Sequence, residues 1–327
     1  AAERATRRKS VTVSELCDAY MAAAEKGLIL GKGGRRKKES TLYVDRGRIE
    51  RHIKPLLGRR LVIDIQRSDI ARFLRDVTAG KTASNQKTDK KRGRAIVEGG
   101  AGTASRTTGL LGGIFTYAAS EGIRPDNPVH GVKRPADNRR QRRLTADEYK
   151  ALGNALKAQA EERAPSQAIA GVWLLALTGC RLGEVQKLRW SEVDIKGAAL
   201  RLGDTKTGQS VRPLGSAAVE VLKALRPTSG NPFVLPGART EAGYFTSLPA
   251  FLGRVTTKAG LADITAHTLR HSFASVADDL GFTEATTGAI IGHSGSTITS
   301  RYIHKLDSVL VAAADRIAAE VLGQMTT

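Results

Sequence analysis

The chain has 327 residues, 41% of them hydrophobic, with 52 Lys+Arg against 32 Asp+Glu and a formal net charge of +20. That length accommodates two domains with separate cores, and no apolar run is long enough to span a bilayer. The two cysteines, Cys17 and Cys180, are too far apart for a metal-binding pattern or a disulfide framework, which fits a reducing cytoplasm.

The charge is unevenly spread. Residues 1–143 carry 33 Lys+Arg and 15 Asp+Glu, whereas residues 144–327 carry 19 and 17. A basic first half beside a nearly neutral second half points to a polyanionic partner, nucleic acid first. The basic runs hold few interleaved bulky apolar residues, which argues against an anionic membrane surface.

Residues 1–10 form a short basic arm. Thr12 and Glu15 make a capping box that opens an amphipathic helix to about Lys26, with Leu16, Ala19, Tyr20 and Ala23 on one face. Residues 31–39, GKGGRRKKE, read as a flexible basic loop in which Arg35, Arg36, Lys37 and Lys38 are candidate phosphate contacts. Ser40 should cap a second helix carrying Leu42, Ile49 and Ile53 and ending near Pro55. Ser68 or Asp69 starts a third, with Ile70, Phe73, Leu74 and Val77 facing inward. Residues 80–102 are polar, basic and Gly-rich and read as a mobile loop. A fourth helix runs from about Thr103 to Ser120 along Leu110, Leu111, Ile114 and Tyr117. Residues 11–135 therefore read as a helical DNA-binding domain.

Pro125, Pro128 and Pro135 break helices in the stretch that follows. Residues 136–143 read as a basic linker whose Arg139, Arg140, Arg142 and Arg143 could track a phosphate backbone or serve as a solvated strap. A second domain is expected over 144–305. It opens with a capping box, Thr145 with Glu148, followed by a very apolar helix at 166–178 and a helical continuation at 181–188. Strands at 198–203 and 209–214 flank the turn DTKTG. Helices are expected near 216–225, 244–259, 268–280, 284–291 and 297–303. A last amphipathic helix, within 306–327, carries Val309, Leu310, Ala313, Ile317 and Val321 and could pack on its own domain or on a neighbouring subunit. The fold class is mainly α with a small antiparallel β-sheet.

Five short segments carry polar residues at the edge of apolar runs: TGCRLGE at 178–184, DTKTG at 204–208, HTLRHSF at 267–273, IGHSG at 291–295 and TSRYIH at 299–304. Arg181, next to a buried helix, needs an anionic partner, which is either Glu184 three residues on or a ligand. His267 and Arg270 share one helix face and could cradle a phosphate at a helix start, or could be structural. His293 lies in a Gly-flanked turn, Lys206 in a hairpin turn and Tyr302 in a short helix. Each has an ordinary reading as a cap, a solvated lysine or a packed tyrosine.

In order, these residues resemble the tyrosine recombinase (phage integrase) family, whose pattern is Arg, hairpin Lys, HxxR, His or Trp, then Tyr. The chain supplies Arg181, Lys206, His267 with Arg270, His293 and Tyr302, with matching Thr-Gly, LRH, IGH and YIH flanks. The resemblance is strong over about 143–305, and residues 11–135 are similar to the family's core-binding domain in pattern and charge. It implies that Tyr302 attacks DNA to form a 3′-phosphotyrosine and that Arg181 and Arg270 hold the non-bridging oxygens. Lys206 would protonate the departing 5′ oxygen, His293 would hydrogen-bond the phosphate and His267 would manage a proton or hold the phosphate. Glu184 would orient one of the cationic side chains. No cofactor and no metal are implied, and the absence of a GxxxxGK[ST] loop agrees with bond energy kept in the phosphotyrosine. The implied partners are double-stranded DNA with a specific site, a homo-oligomer on DNA (a tetramer at synapsis) and accessory DNA-bending proteins, with no membrane. Cys180 departs from the bulkier apolar residue expected there. Two other functions share the toolkit: a non-catalytic architectural DNA binder and a type IB topoisomerase.

Overall fold

The computed structural model describes residues 11–31, 33–87, 93–136, 142–205, 208–237, 241–292 and 308–327. The chain separates into two compact units, Ala1–Arg139 and Arg140–Thr327.

In the first unit, α1 (Val13–Glu25) begins with the expected reciprocal cap. The Glu15 carboxylate accepts from the Thr12 N–H at 2.8 Å, and the Thr12 hydroxyl accepts from the Glu15 N–H at 3.3 Å. The second helix differs from expectation at both ends. α2 (Glu39–Arg48) follows Lys38, not a Ser40 cap, and runs through a π turn, Ile49–Ile53, into α3 (Lys54–Leu57). Pro55 does not stop it. The proline occupies the start of α3, just after the wider π turn has shifted the hydrogen-bond ladder, where a missing N–H is tolerated. α4 (Arg67–Thr78) starts one residue before Ser68 and two before Asp69, because Gln66 is the cap and its N–H donates to Asp69 at 2.9 Å.

The stretch expected as a loop at 80–102 instead holds a hairpin. β1 (Ser84–Lys87) pairs antiparallel with β2 (Arg94–Val97), Ser84 opposite Val97 and Lys87 opposite Arg94. Its strands bury only Val97, so no apolar alternation marked them. α5 (Ala101–Ser120) completes the unit. Leu16, Tyr20, Ile49, Ile53, Ile70, Phe73, Leu111 and Phe115 form one shared core between these helices.

The second unit opens with α6 (Ala146–Glu161), capped by Thr145 and Glu148 as expected, and α7 (Ser166–Thr178), most of which is buried. α8 (Leu182–Gln186) follows a tight turn. β3 (Val193–Asp194), β4 (Ala199–Thr205) and β5 (Gly208–Pro213) form an antiparallel sheet in that order, with Leu200 opposite Arg212. The sequence reading had the β4–β5 hairpin but not the short third strand. α9 (Ser216–Ala224), α10 (Leu248–Lys258) and α11 (Ala266–Asp279) pack around α7, and α12 (Glu284–Ile291) packs on α11 and β5.

The last helix, α13 (Ser308–Thr326), packs into its own unit, with Ile317 and Val321 fully buried. Gly215 lies so close to it that a Cβ there would sit 2.7 Å from the Ala318 methyl. Among the described residues, no helix is long and apolar enough to cross a membrane.

Candidate active site

The turn TGCR shows how sequence builds the centre. α7 ends at Gly179, whose φ of +59° reverses the chain, and a Cβ there would meet the Phe273 ring at 2.7 Å. The Thr178 hydroxyl donates to the Leu174 carbonyl at 2.5 Å and accepts from the Cys180 N–H at 3.2 Å. Arg181 thereby becomes the N-cap residue of α8. The Glu184 carboxylate accepts from the Arg181 N–H at 2.9 Å and from its Nη1 at 2.8 Å. The ion pair weighed from sequence therefore exists. It does not use the whole guanidinium, whose Nη2 reaches the Gly292 carbonyl at 3.3 Å.

α11 begins at the Thr265 cap, whose hydroxyl accepts from the Thr268 N–H at 3.2 Å. Ser272 on the same helix accepts from the Leu144 N–H at 2.8 Å and so ties the start of the unit to α11. Arg270 points inward and is only 4% exposed. Its Nη1 donates to the Gly179 carbonyl at 2.7 Å, and its buried Nη2 has no partner among the described residues. Burial first, then the charge of Arg181, pushes its pKa down to about 10. A buried guanidinium with an unmatched donor is stabilised by an anionic partner.

His267 stands at the first turn of α11, exposed, with its Nε2 2.9 Å from the Nε2 of His271 one turn on. Its pKa is lowered by desolvation first, then by His271, Arg270 and Arg181. Desolvation and the neighbouring cations thus disfavour the charged form of the ring.

One charged residue of the site escaped the sequence reading. Arg212, on β5, is 1% exposed and donates from Nη2 to Glu184 at 3.0 Å. Burial alone would raise the Glu184 pKa. Arg212, followed by the backbone and side chain of Arg181, overcomes that and lowers it. The Lys206, His293 and Tyr302 assignments lie outside the described residues, as do Arg139 and Arg140.

The remaining basic candidates fare differently. Lys37 donates to Asp45 and to the Tyr20 hydroxyl, both at 2.7 Å, with 11% of its side chain exposed. Burial opposes its charge, but the bonds to Asp45 and Tyr20 outweigh that and raise its pKa. Arg35, Arg36 and Lys38 are exposed, and Arg36 also donates to the Glu25 carbonyl. Arg142 grips Glu148 through both nitrogens, and Arg143 grips Asp279 at 2.9 and 3.1 Å. An open cavity in the first unit, which sequence did not reveal, is lined by exposed Tyr43, Val44 and Ile96 among Arg46, Arg48 and Arg51.

Comparison with solved structures defines the class through the fold. A lambda integrase dimer bound to a COC′ core site superposes with a TM-score of 0.66 at 21% identity, over 91% of this chain and 100% of that one. A lambda integrase tetramer bound to a Holliday junction gives a TM-score of 0.66 at 23% identity, over 88% of this chain and 79% of that one. The likeness is one of fold. The model of the phage integrase family matches residues 142–308, just over half of the sequence, and the chain belongs to that family. Tyrosine recombinase XerC of Roseiflexus castenholzii is 26% identical over 279 residues, covering 81% of this chain and 83% of that protein.

Proposed function

We propose that the protein is a site-specific DNA recombinase that cleaves and rejoins strands through a 3′-phosphotyrosine at Tyr302. The observation that carries this reading is the cationic cluster. Arg181 and Arg212 share the single carboxylate of Glu184, and the adjacent, buried Arg270 keeps an unmatched donor among the described residues. Such an excess of fixed guanidinium donors suits a phosphodiester with two charged oxygens.

Arg181 and Arg270 bind the non-bridging oxygens and stabilise the charge of the pentacoordinate phosphorus, where most of the acceleration arises. The Tyr302 oxygen attacks phosphorus and its proton passes to neutral His267. The bond from phosphorus to the 5′ oxygen breaks, and that oxygen takes a proton from Lys206. His293 adds a hydrogen bond to the phosphate. A 5′ hydroxyl from another strand reverses the step and frees Tyr302, so the bond energy is conserved.

The first unit grips the duplex. Arg35, Arg36 and Lys38 contact phosphates, and Tyr43, Val44 and Ile96 offer apolar contact among arginines. Arg139, Arg140, Arg142 and Arg143 contact backbone phosphates. The solved dimer and tetramer of lambda integrase support assembly on DNA as a homo-oligomer, a tetramer at the four-way junction. The substrate is the recombination site of a phage or other mobile element, integrated or excised at the bacterial nucleoid in the cytoplasm with accessory DNA-bending proteins.

Incubation with fragmented host and element DNA, followed by sequencing of covalently bound fragments, tests this reading. One recurrent site is expected. Tyr302→Phe should abolish the adduct while duplex binding persists. Adducts formed by Tyr302→Phe, or none formed by the wild type, would overturn it.

A further inference from the structure

Arg212 has no place in the chemistry above, yet it is the bulkiest of the fully buried side chains. It lies on β5, which pairs with β4. Its Nη2 donates to Glu184 on α8, its Nη1 donates to Ser210, and its Nε has no partner among the described residues. The guanidinium lies flat against Gly292, which ends α12 with a φ of +70°. Any Cβ at Gly292 would overlap the guanidinium group. Gly292 also receives Nη2 of Arg181 on its carbonyl, and His293 follows it in the chain.

A buried ion pair of this kind is often no more stabilising than an apolar side chain of the same volume. Burial of a charged Arg on a strand therefore calls for a reason other than stability. The wiring supplies one. Glu184 Oε1 accepts from both Arg181 and Arg212. With Arg212 present, the carboxylate is shared and Arg181 is only partly neutralised. Without it, Glu184 would belong to Arg181 alone, and the site would hold one fewer positive charge.

We propose that Arg212 is a positioning residue for the cleavage reaction. It divides the charge of Glu184 so that Arg181 keeps its pull on the phosphate, and it seats Gly292 against the β-hairpin. Three segments that approach the scissile phosphate thus share one buried guanidinium: the β4–β5 hairpin, the α7–α8 turn and the end of α12. The proposal rests on the recombinase reading.

The test uses the full-length protein and a nicked duplex bearing the recovered site. The scissile phosphate is either natural or a methylphosphonate, in which a methyl group replaces one non-bridging oxygen and removes its charge. Arg212→Met should bind the duplex within about threefold of wild type. It should form the tyrosyl adduct about 100-fold more slowly on the natural phosphate. On the methylphosphonate the deficit should shrink to about fivefold or less, because the charge that Arg181 meets is gone. Arg212→Lys keeps the charge without the planar fork and should recover at least about tenfold of the loss. An Arg212→Met protein with wild-type rate on the natural phosphate overturns the proposal. So does an equal loss on both substrates, the mark of a merely structural residue. If Arg212→Met does not fold, Arg212→Gln, which keeps a polar group of similar length without the charge, takes its place. A deficit confined to the natural phosphate upholds the proposal, and either no deficit or an equal one overturns it. Absence of adduct with the wild type would instead sink the recombinase reading, so the two failures are distinguishable.

Discussion

The two units use positive charge in opposite ways. In the first, cations are abundant, and those held in place are answered by carboxylates: Lys37 by Asp45, Arg60 by Asp69, Lys54 by Asp18 and Glu50. In the second, a few guanidinium groups are drawn inward around Glu184, and the carboxylate does not balance them. An exposed cation contributes to affinity for any polyanion and is screened by salt. A buried one is fixed in direction and meets a single oxygen. On the proposed reading, net charge draws the polyanion, while buried donors fix the direction in which an oxygen is met.

The sharpest way to break this comparison is Arg270→Met. Loss of the buried donor should slow adduct formation by about 10²–10³-fold. The same change should raise the thermal midpoint, since it removes a desolvated guanidinium with an unmatched donor. Single-turnover assays and thermal melts read the two effects. A fall in both would make Arg270 a structural residue and erase the contrast between the units.

Lys37→Met asks the converse question in the first unit. Asp45 would be left buried with only the 3.9 Å contact to Arg48, which should cost about 1–2 kcal/mol in denaturant unfolding. The salt dependence of DNA binding should stay unchanged, because Lys37 is already committed to Asp45 and Tyr20. A shallower salt slope would show that Lys37 reaches phosphate after all.

A pH titration sharpens the picture of the second unit. His267 has a lowered pKa in the folded protein, below the ordinary 6.5. The neutral ring is the form the fold favours, so its share of stability is complete above pH 6.5 and is lost as pH falls through the lowered value. NMR of the ring proton should give a midpoint below 6.5 in the free protein, moving upward when DNA phosphate offsets the nearby guanidinium charge. A midpoint at or above 6.5 in the free protein would remove the electrostatic coupling to Arg270 and Arg181.

The smallest effect is expected for Arg35→Ala. Affinity should drop evenly across duplex sequences, and the salt slope should fall by about one ion. A change of target preference would instead place Arg35 at a base edge.

Much of this molecule was legible before any coordinates. Both capping boxes are local contacts three residues apart, and the α7 apolar run and the β4–β5 hairpin are patterns of period and turn chemistry. The order Arg181, His267, Arg270 was visible because family motifs are short and contiguous. The β1–β2 hairpin was not visible, since strands with one buried residue show no alternation. The passage of Pro55 was hidden as well, because a π turn leaves no compositional mark.

Arg212 marks the boundary between the two kinds of knowledge. Sequence alone determined the charge asymmetry, most helices, the caps at Thr12 and Thr145, and the residue types able to handle a phosphodiester, since these depend on neighbours within a few positions. Only the tertiary structure decided that Arg212, Glu184 and Gly292 meet, that Lys37 is spent on Asp45, and that Arg270 is buried with a donor to spare. Those outcomes depend on desolvation and on partners brought together by packing, and neither is encoded in the spacing of residues along the chain.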